Sequence, residues 1–331
     1  MQGVDLQRFQ FDYDLTAAIV CLNADGTVYG RYGARDGRDA MALNSLPGLR
    51  KALLRILELH RNYPANRATL AKKRGPAPRY THAEEFPVAV MEGKGGAPTR
   101  KNCIHCHQVH EAQQQLALQA GTFDVRDFAT RFPPPSQVGL TLDRDDGTRI
   151  RSVESGTPAA RAGLEAGDRI RLLGGQAITS IADVIWVLDH AGKDAKLAVV
   201  VERGDSQDAK PLTLELATGW RKPTLAWRAS MYSLPPAPGL WVSEIKASAK
   251  ARLQIPKTKL ALRVRGLFRP AVRKSGLAVG DVIVAVDGFA ERMRGAEFHA
   301  YLRLQHSKPP TKLRLRVRRG DKERDIVVTF R

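Results

Sequence analysis

The chain has 331 residues, ordinary apolar content and a formal net charge of +19. That length suits two or three domains with packed cores, and no run of eighteen apolar residues exists to cross a membrane as a helix. Aromatic residues are sparse and no nucleic-acid-binding motif is present, so the positive charge implies at most an acidic partner or polyanion held in a salt-dependent way. The N-terminus, Met1 to Asp5, has neither the basic nor the apolar stretch of an export signal.

Taken in order, residues 17–22 form a short apolar run that reads as a buried strand, with Cys21 as an inert thiol inside it. Asn23-Ala24-Asp25-Gly26 is a turn signal, and Thr27 to Gly33 is a β-prone partner strand. Leu46-Pro47-Gly48-Leu49 opens a helix with Leu49, Leu53, Ile56 and Leu57 on one face. Residues 61–101 are rich in Pro, Gly, Lys and Arg and read as loop, with Phe86 to Met91 as a short apolar anchor.

Cys103-Ile104-His105-Cys106-His107 follows, ahead of a helix that runs to about Leu118 and stops at Gly121. Three chemistries fit this Cys-x-x-Cys-His. It is the attachment pattern of covalent haem c, with Cys103 and Cys106 bonded to the haem and His107 as the proximal iron ligand; Met91, His110 and His82 are candidates for the sixth position. It is equally the spacing of a redox dithiol, Cys103 and Cys106, beside the cationic Lys101 and Arg100. A zinc site using both cysteines and two of His105, His107 and His110 is the third option, tighter in spacing than usual. The motif leaves these open.

After the stiff Phe132-Pro133-Pro134-Pro135 the character changes. Residues 137–142 and 150–153 are strand candidates. Ser155 to Ile170 contains Ala162-Gly163-Leu164 and Gly167-Asp168, and it resembles the signature of bacterial PDZ domains. A helix starting at Ser180 and strands at 197–202 and 212–216 complete the module. Pro270 to Gly288 repeats the pattern at a spacing of about 113 residues (Gly167-Asp168 to Gly280-Asp281), which argues for two modules rather than a solenoid of ~20–50-residue repeats. Lys312 to Arg319 alternates Leu or Val with Lys or Arg, as a half-buried strand with a solvated face does. No Gly-x-Ser-x-Gly or Gly-Asp-Ser-Gly is present, so nothing marks a serine protease.

PDZ modules bind extended peptides by strand addition, with the carboxylate held by a loop before the edge strand. In the first module that loop is Gln137-Val138-Gly139-Leu140. Leu140, Leu142 and the helix residues Val184, Ile185 and Leu188 are the candidate pocket, with Val138 and Gly139 in the loop. The matching loop of the second copy is read as Thr258-Lys259-Leu260-Ala261, which lacks a glycine. Trp220-Arg221 and Trp227-Arg228 read as anchors that pin a connector to a domain.

Across nearly its full length the chain resembles the thioredoxin-like/PDZ proteins of planctomycete-type bacteria. The residues that carry this are Leu6 to Thr16, Asn23 to Gly33, Asn102 to Val109, the PDZ signature and Gly219-Trp220-Arg221-Lys222. The PDZ modules resemble those of HtrA-type proteins without the protease. The resemblance implies an exported, periplasmic or otherwise extracytoplasmic protein with redox chemistry in the full-length molecule. The front of the thioredoxin-like domain is absent, so an upstream leader with its own dithiol is expected. The resulting organisation is α+β and multidomain. Residues 1–63 are the thioredoxin-like back half, 64–135 a linker with the Cys-x-x-Cys-His motif, 136–218 the first PDZ module, 219–257 a connector and 258–331 a divergent second PDZ module. The expected function is recruitment of peptide or protein C-termini to the cysteine-bearing segment, with haem-based electron transfer as the alternative.

Overall fold

The computed structural model describes residues 1–37, 39–97, 99, 101–204, 209–307 and 311–330. It is a mixed helix-and-sheet protein whose contacts divide into two units, residues 1–123 with 127–228, and residues 124–126 with 229–331. No helix among the described residues is long and apolar enough to cross a membrane.

The first unit opens with the hairpin β1 (Ile19–Leu22) and β2 (Val28–Tyr32), paired antiparallel. The turn forms because Asn23 Oδ1 accepts the Asp25 and Thr27 N–H groups and Gly26 takes a positive φ of 82°. Helix α1 (Leu46–Arg61) follows, capped by Ser45 Oγ accepting the Gly48 N–H at 3.0 Å. Its packed face is Gly48, Ala52 and Ile56, whereas Leu53 and Leu57 are exposed. This corrects the expected face, and the reason is local: a Cβ at Gly48 would lie 2.2 Å from the Arg144 carbonyl oxygen, so the small-residue side alone can approach this closely. Short 3-10 turns punctuate residues 67–91, and α2 (Cys106–Gln119) carries the second half of the cysteine motif. A short helix α3 (Val125–Ala129) precedes the proline run.

The first PDZ-like module then comprises β3 (Leu140–Leu142), β4 (Ile150–Val153), α4 (Pro158–Arg161), β5 (Arg169–Leu173), β6 (Gln176–Ala177), α5 (Ile181–His190), β7 (Ala195–Glu202) and β8 (Ala209–Leu216). Among the described residues β3 pairs only with β4, and the other sheet runs β6-β5-β7-β8. Helix α1 is tied to this module through buried Asp146, which meets Arg55 at 2.5 Å, Lys51 at 3.3 Å and Arg169 at 2.5 Å. Burial alone would raise the Asp146 carboxyl, but Arg55, Arg169 and the Thr148 hydroxyl hold it well below the usual carboxylate range. A depressed native pKa stabilises the fold above the unfolded value of about 4 and stops doing so as pH falls through the native one. Tm should therefore drop on acidification below about pH 4, and Asp146→Asn should flatten that limb of a Tm-against-pH profile.

The second unit is one five-stranded sheet in the order β13-β12-β11-β10-β9, with β9 (Leu240–Glu244), β10 (Leu262–Leu267), β11 (Val282–Val286), β12 (Thr311–Arg319) and β13 (Lys322–Phe330). Helices α6 (Ala247–Arg252), α7 (Pro270–Arg273) and α8 (Gly295–Gln305) complete it. In β12, Leu313, Leu315 and Val317 are buried while Lys312, Arg314 and Arg316 face outward.

The two units repeat one design. Asp168 and Asp281 are buried, and each accepts from Nε and Nη2 of one arginine, Arg203 or Arg319, at 2.7 and 2.8 Å. The same arginines reach the carbonyls of Gly163 and Gly276, each at 2.8 Å. Gly139 and Gly239, both with positive φ, open the edge strands β3 and β9, and their carbonyls accept the N–H of Glu154 at 2.9 Å and of Phe268 at 2.6 Å. The counterpart of the Gln137–Leu140 loop is thus the chain ahead of Leu240, and it does contain a glycine; Thr258 to Ala261 instead ends a long connection. Residues 245–261, with α6, join β9 to β10 where residues 143–149 join β3 to β4. That extra chain separates the edge strand from the rest of the repeat.

Candidate functional site

Ser180 caps α5 by accepting the Ala182 N–H at 3.0 Å, and Ile181 to Leu188 are all buried. The structure brings the six apolar candidates together: Val138, Leu140, Leu142, Val184, Ile185 and Leu188 are between 0% and 6% exposed in a single core. Gly139 sits among them with φ of 88°, and a Cβ there would come within 2.0 Å of Thr157 Oγ1, so the close approach requires glycine.

The same core holds Ala34, with Leu43 and Phe132 packed against it. None of these belongs to the module itself. They come from the segment after β2 and from the proline linker, and they pack on the core that β3 and α5 share. Asn44 fixes Ala34: its Oδ1 accepts the Ala34 N–H at 3.0 Å and its Nδ2 donates to the Ala34 carbonyl at 2.7 Å. Phe132 N–H donates to Asp189 Oδ1 at 2.7 Å. β2 is held on α5 by Asp183, which accepts the Arg31 N–H at 3.2 Å and pairs with Lys73 at 2.7 Å, both side chains being buried. Burial pushes the Lys73 ammonium below its ordinary value, and Asp183 pulls it back up. The Arg31 guanidinium stacks 3.6 Å from the Trp186 ring centroid.

What stays open is a cleft of about 540 Å³ along β3. It is lined by Pro134, Pro135, Ser136, Leu140, Thr141 and Leu142 and by Asp36, Ala42, Leu43 and Ile181, together with Arg144 and Arg151. The Gln137 and Gly139 N–H groups are spent within the turn on the Pro134 and Ser136 carbonyls. The second unit shows a parallel arrangement. Buried Arg303 of α8 donates to the Met231 carbonyl at 2.5 Å and the Tyr232 carbonyl at 3.2 Å, laying the chain ahead of Gly239 on that helix.

Cys103 is exposed and Cys106 half-buried, and both thiols are free, as is that of half-buried Cys21. Cys106 begins α2 and packs beside Ile104, Met91, Val109 and Phe86. His107 Nδ1 is 2.7 Å from Glu111 Oε1, one helical turn on. Of the sixth-ligand candidates, Met91 is buried in that cluster, His82 pairs with Glu85 at 2.9 Å and His110 pairs with Asp14 at 3.0 Å. Arg100 lies outside the described residues.

Asp12, Asp14 and His110 converge closely enough to share a cation. The cation at this point is Arg228, whose Nη1 is 2.8 Å from both Asp12 oxygens and 3.4 Å from Asp14. Burial raises the Asp12 carboxyl, against the pull of Arg228 and His110. Both Trp-Arg pairs are anchors: Arg221 Nη2 donates to the Leu188, Asp189 and Ala191 carbonyls, satisfying the end of α5. Ala34, Leu43, Phe132 and Arg228 carry no motif; the one visible signal is apolar Ala40 to Leu43 in an otherwise polar stretch.

Comparison with known proteins places this geometry. The PDZ-domain family profile matches residues 137–218. A probable periplasmic serine endoprotease DegP-like of Marinomonas sp. (strain MWYL1) is 27% identical over 147 residues, covering 44% of this chain and 30% of that protein. The periplasmic serine endoprotease DegP of Escherichia coli (strain K12) is 43% identical over 63 residues, 19% of this chain and 13% of that protein. The chain thus spans less than a third of the length of either relative. Among solved structures, the PDZ domain of EpsC from Vibrio cholerae is 22% identical over 28% of this chain and 95% of that one, with a TM-score of 0.21. The HtrA-type protease AlgW with decapeptide is 15% identical over 41% of this chain and 47% of that one, with a TM-score of 0.23. Residues 137–218 are a PDZ domain, homologous to the PDZ modules of HtrA/DegP-type proteins.

Proposed function

We propose that this is an extracytoplasmic binding protein whose first PDZ domain takes an extended peptide, typically a protein C-terminus, by strand addition to β3. The observation that carries this reading is the cleft along the unpaired edge of β3, beside Gly139. The periplasmic relatives support the compartment. With Ala34, Leu43 and Phe132 packed on the core that β3 and α5 share, recognition rests on main-chain hydrogen bonds and tolerates varied sequences. With two loop N–H groups already used, the ligand carboxylate depends on Arg144 and Arg151.

Fluorescence anisotropy of C-terminal peptides on the full chain tests this. Wild type should bind at about 10–100 μM. Leu43→Ala should bind several-fold tighter, and Ser136→Trp should abolish binding by filling the cleft. Arg151→Gln should weaken free-acid peptides but not amidated ones. No binding by wild type and Leu43→Ala alike would overturn the proposal.

A second reading attaches to the cysteine motif, because Cys103 is exposed and free and Glu111 engages His107 Nδ1, leaving Nε2 as a ligand atom. Here the PDZ domain brings partners to a redox centre beside a hairpin and helix that follow the order of a thioredoxin-like back half. As a dithiol, Cys103 and Cys106 would close to a disulfide and pass two electrons and two protons to a partner disulfide, which is reduced to two thiols. As a haem site, both thiols and His107 would hold the group, which supplies one-electron transfer. Thiol titration before and after a disulfide substrate supports the dithiol; an absorption spectrum that survives acid-acetone extraction after expression with haem-maturation machinery supports haem.

A further inference from the structure

The connection peculiar to the second unit, residues 245–261, builds an open cleft of about 750 Å³ lined by Glu244, Ile245, Lys246, Ala247, Lys250, Lys257 and Arg292. Its charge is unbalanced. Arg292 pairs with Glu244 at 2.8 Å, which neutralises the cleft's carboxylate. Among the described residues, Lys246, Lys250 and Lys257 have no ion-pair partner. Lys250 is the telling one: it is 4% exposed, and its Nζ donates to the Lys259 carbonyl at 2.7 Å and the Lys257 carbonyl at 3.3 Å. An ammonium has three donors, and a buried charge is ordinarily paired with an opposite one. Two carbonyl bonds position Lys250 and leave its third donor and its charge without a carboxylate partner among the described residues. The corresponding link in the first PDZ domain, residues 143–149, instead carries Asp146, already paired with Lys51, Arg55 and Arg169.

We infer that this cleft is a binding site for a compact oxyanion of the phosphate type, held by Lys246, Lys250 and Lys257. Lysines suit such a group as point charges gathered round it. The site is independent of peptide binding at β3.

Isothermal titration of the full chain with inorganic phosphate, against chloride at equal ionic strength, tests it. Saturable binding is expected, and the exposed pair Lys246→Gln with Lys257→Gln should weaken it at least tenfold. The control pair Lys193→Gln with Lys222→Gln, in the first unit, removes the same charge and should change nothing. Lys250→Met is expected to abolish binding, but the surface pair decides if that variant fails to fold. Two further probes separate sources: tighter binding of pyrophosphate assigns a free polyphosphate, and tighter binding of phosphoserine assigns a phosphorylated partner. Equal weakening in both lysine pairs would show mere charge screening, and preference for a tetra-aspartate peptide over every phosphate would show an acidic-peptide surface; either result overturns the inference.

Discussion

Arg228→Met should cost the first unit about 3–5 kcal/mol, the range for breaking a buried ion pair from one side. The guanidinium is 1% exposed, and it pairs with two buried carboxylates while donating to the Arg131 carbonyl at 2.6 Å. Methionine fills similar space but leaves Asp12 and Asp14 facing each other without their cation. Domain stabilities are about 5–15 kcal/mol, so the loss should show as an early transition in urea unfolding. The pH dependence fixes the cause. Arg228 is the larger of the two groups that restrain the upward shift of Asp12, His110 being the other, so the variant's carboxyl rises further. A native pKa raised above the unfolded one binds protons preferentially in the folded state, and stability then increases as pH falls. The deficit should therefore shrink as pH falls. Asp12→Asn in the Arg228→Met background should recover part of it, giving a measurable coupling.

Lys73→Met should have an effect of similar size, about 3–5 kcal/mol, located where residues 71–73 and β2 meet α5. Asp183 keeps Thr179, whose hydroxyl is 2.6 Å away, and the Arg31 N–H, but it loses the cation paired directly with its carboxylate, leaving the Arg31 guanidinium as the remaining buried positive charge acting on it. The turn at Ala71–Lys73, whose Lys73 carbonyl accepts from Arg31 of β2, then loses its ion pair to α5. Hydrogen exchange should speed up in residues 28–45 before it does in β5 and β7. The double variant Lys73→Met with Asp183→Leu removes both charges and should restore much of the stability. If exchange in residues 28–45 were unchanged in the single variant, that segment would be held by the direct bonds of β2 to α5 and by packing, without the Lys73 ion pair.

The local chemistry of this chain was open to reading because local rules govern it. Gly163, Gly167 and Asp168 marked the PDZ signature through the positive φ that these turns demand and through an aspartate that anchors them. Ser180 marked the start of α5, Asn23 to Gly26 the hairpin, and alternation in Lys312 to Val317 an amphipathic strand. Periodicity placed α1 but not its buried side, because the packing partner, the Arg144 carbonyl, is remote in sequence and admits only Gly48.

The sequence by itself determined that a PDZ module is present, that apolar residues of β3 and α5 belong to its core, and where a Cys-x-x-Cys-His begins a helix. Tertiary structure alone decided that Ala34, Leu43 and Phe132, from outside the module, pack on that core, and that the second unit's edge strand lies ahead of a long insertion. It also decided that Arg228 meets Asp12 across 216 residues of chain. The physical reason is common to all three. Strand, helix and turn formation is written in neighbouring residues, whereas filling a pocket or pairing a buried charge uses ordinary residue types with no local mark and depends on which distant segment the fold brings alongside.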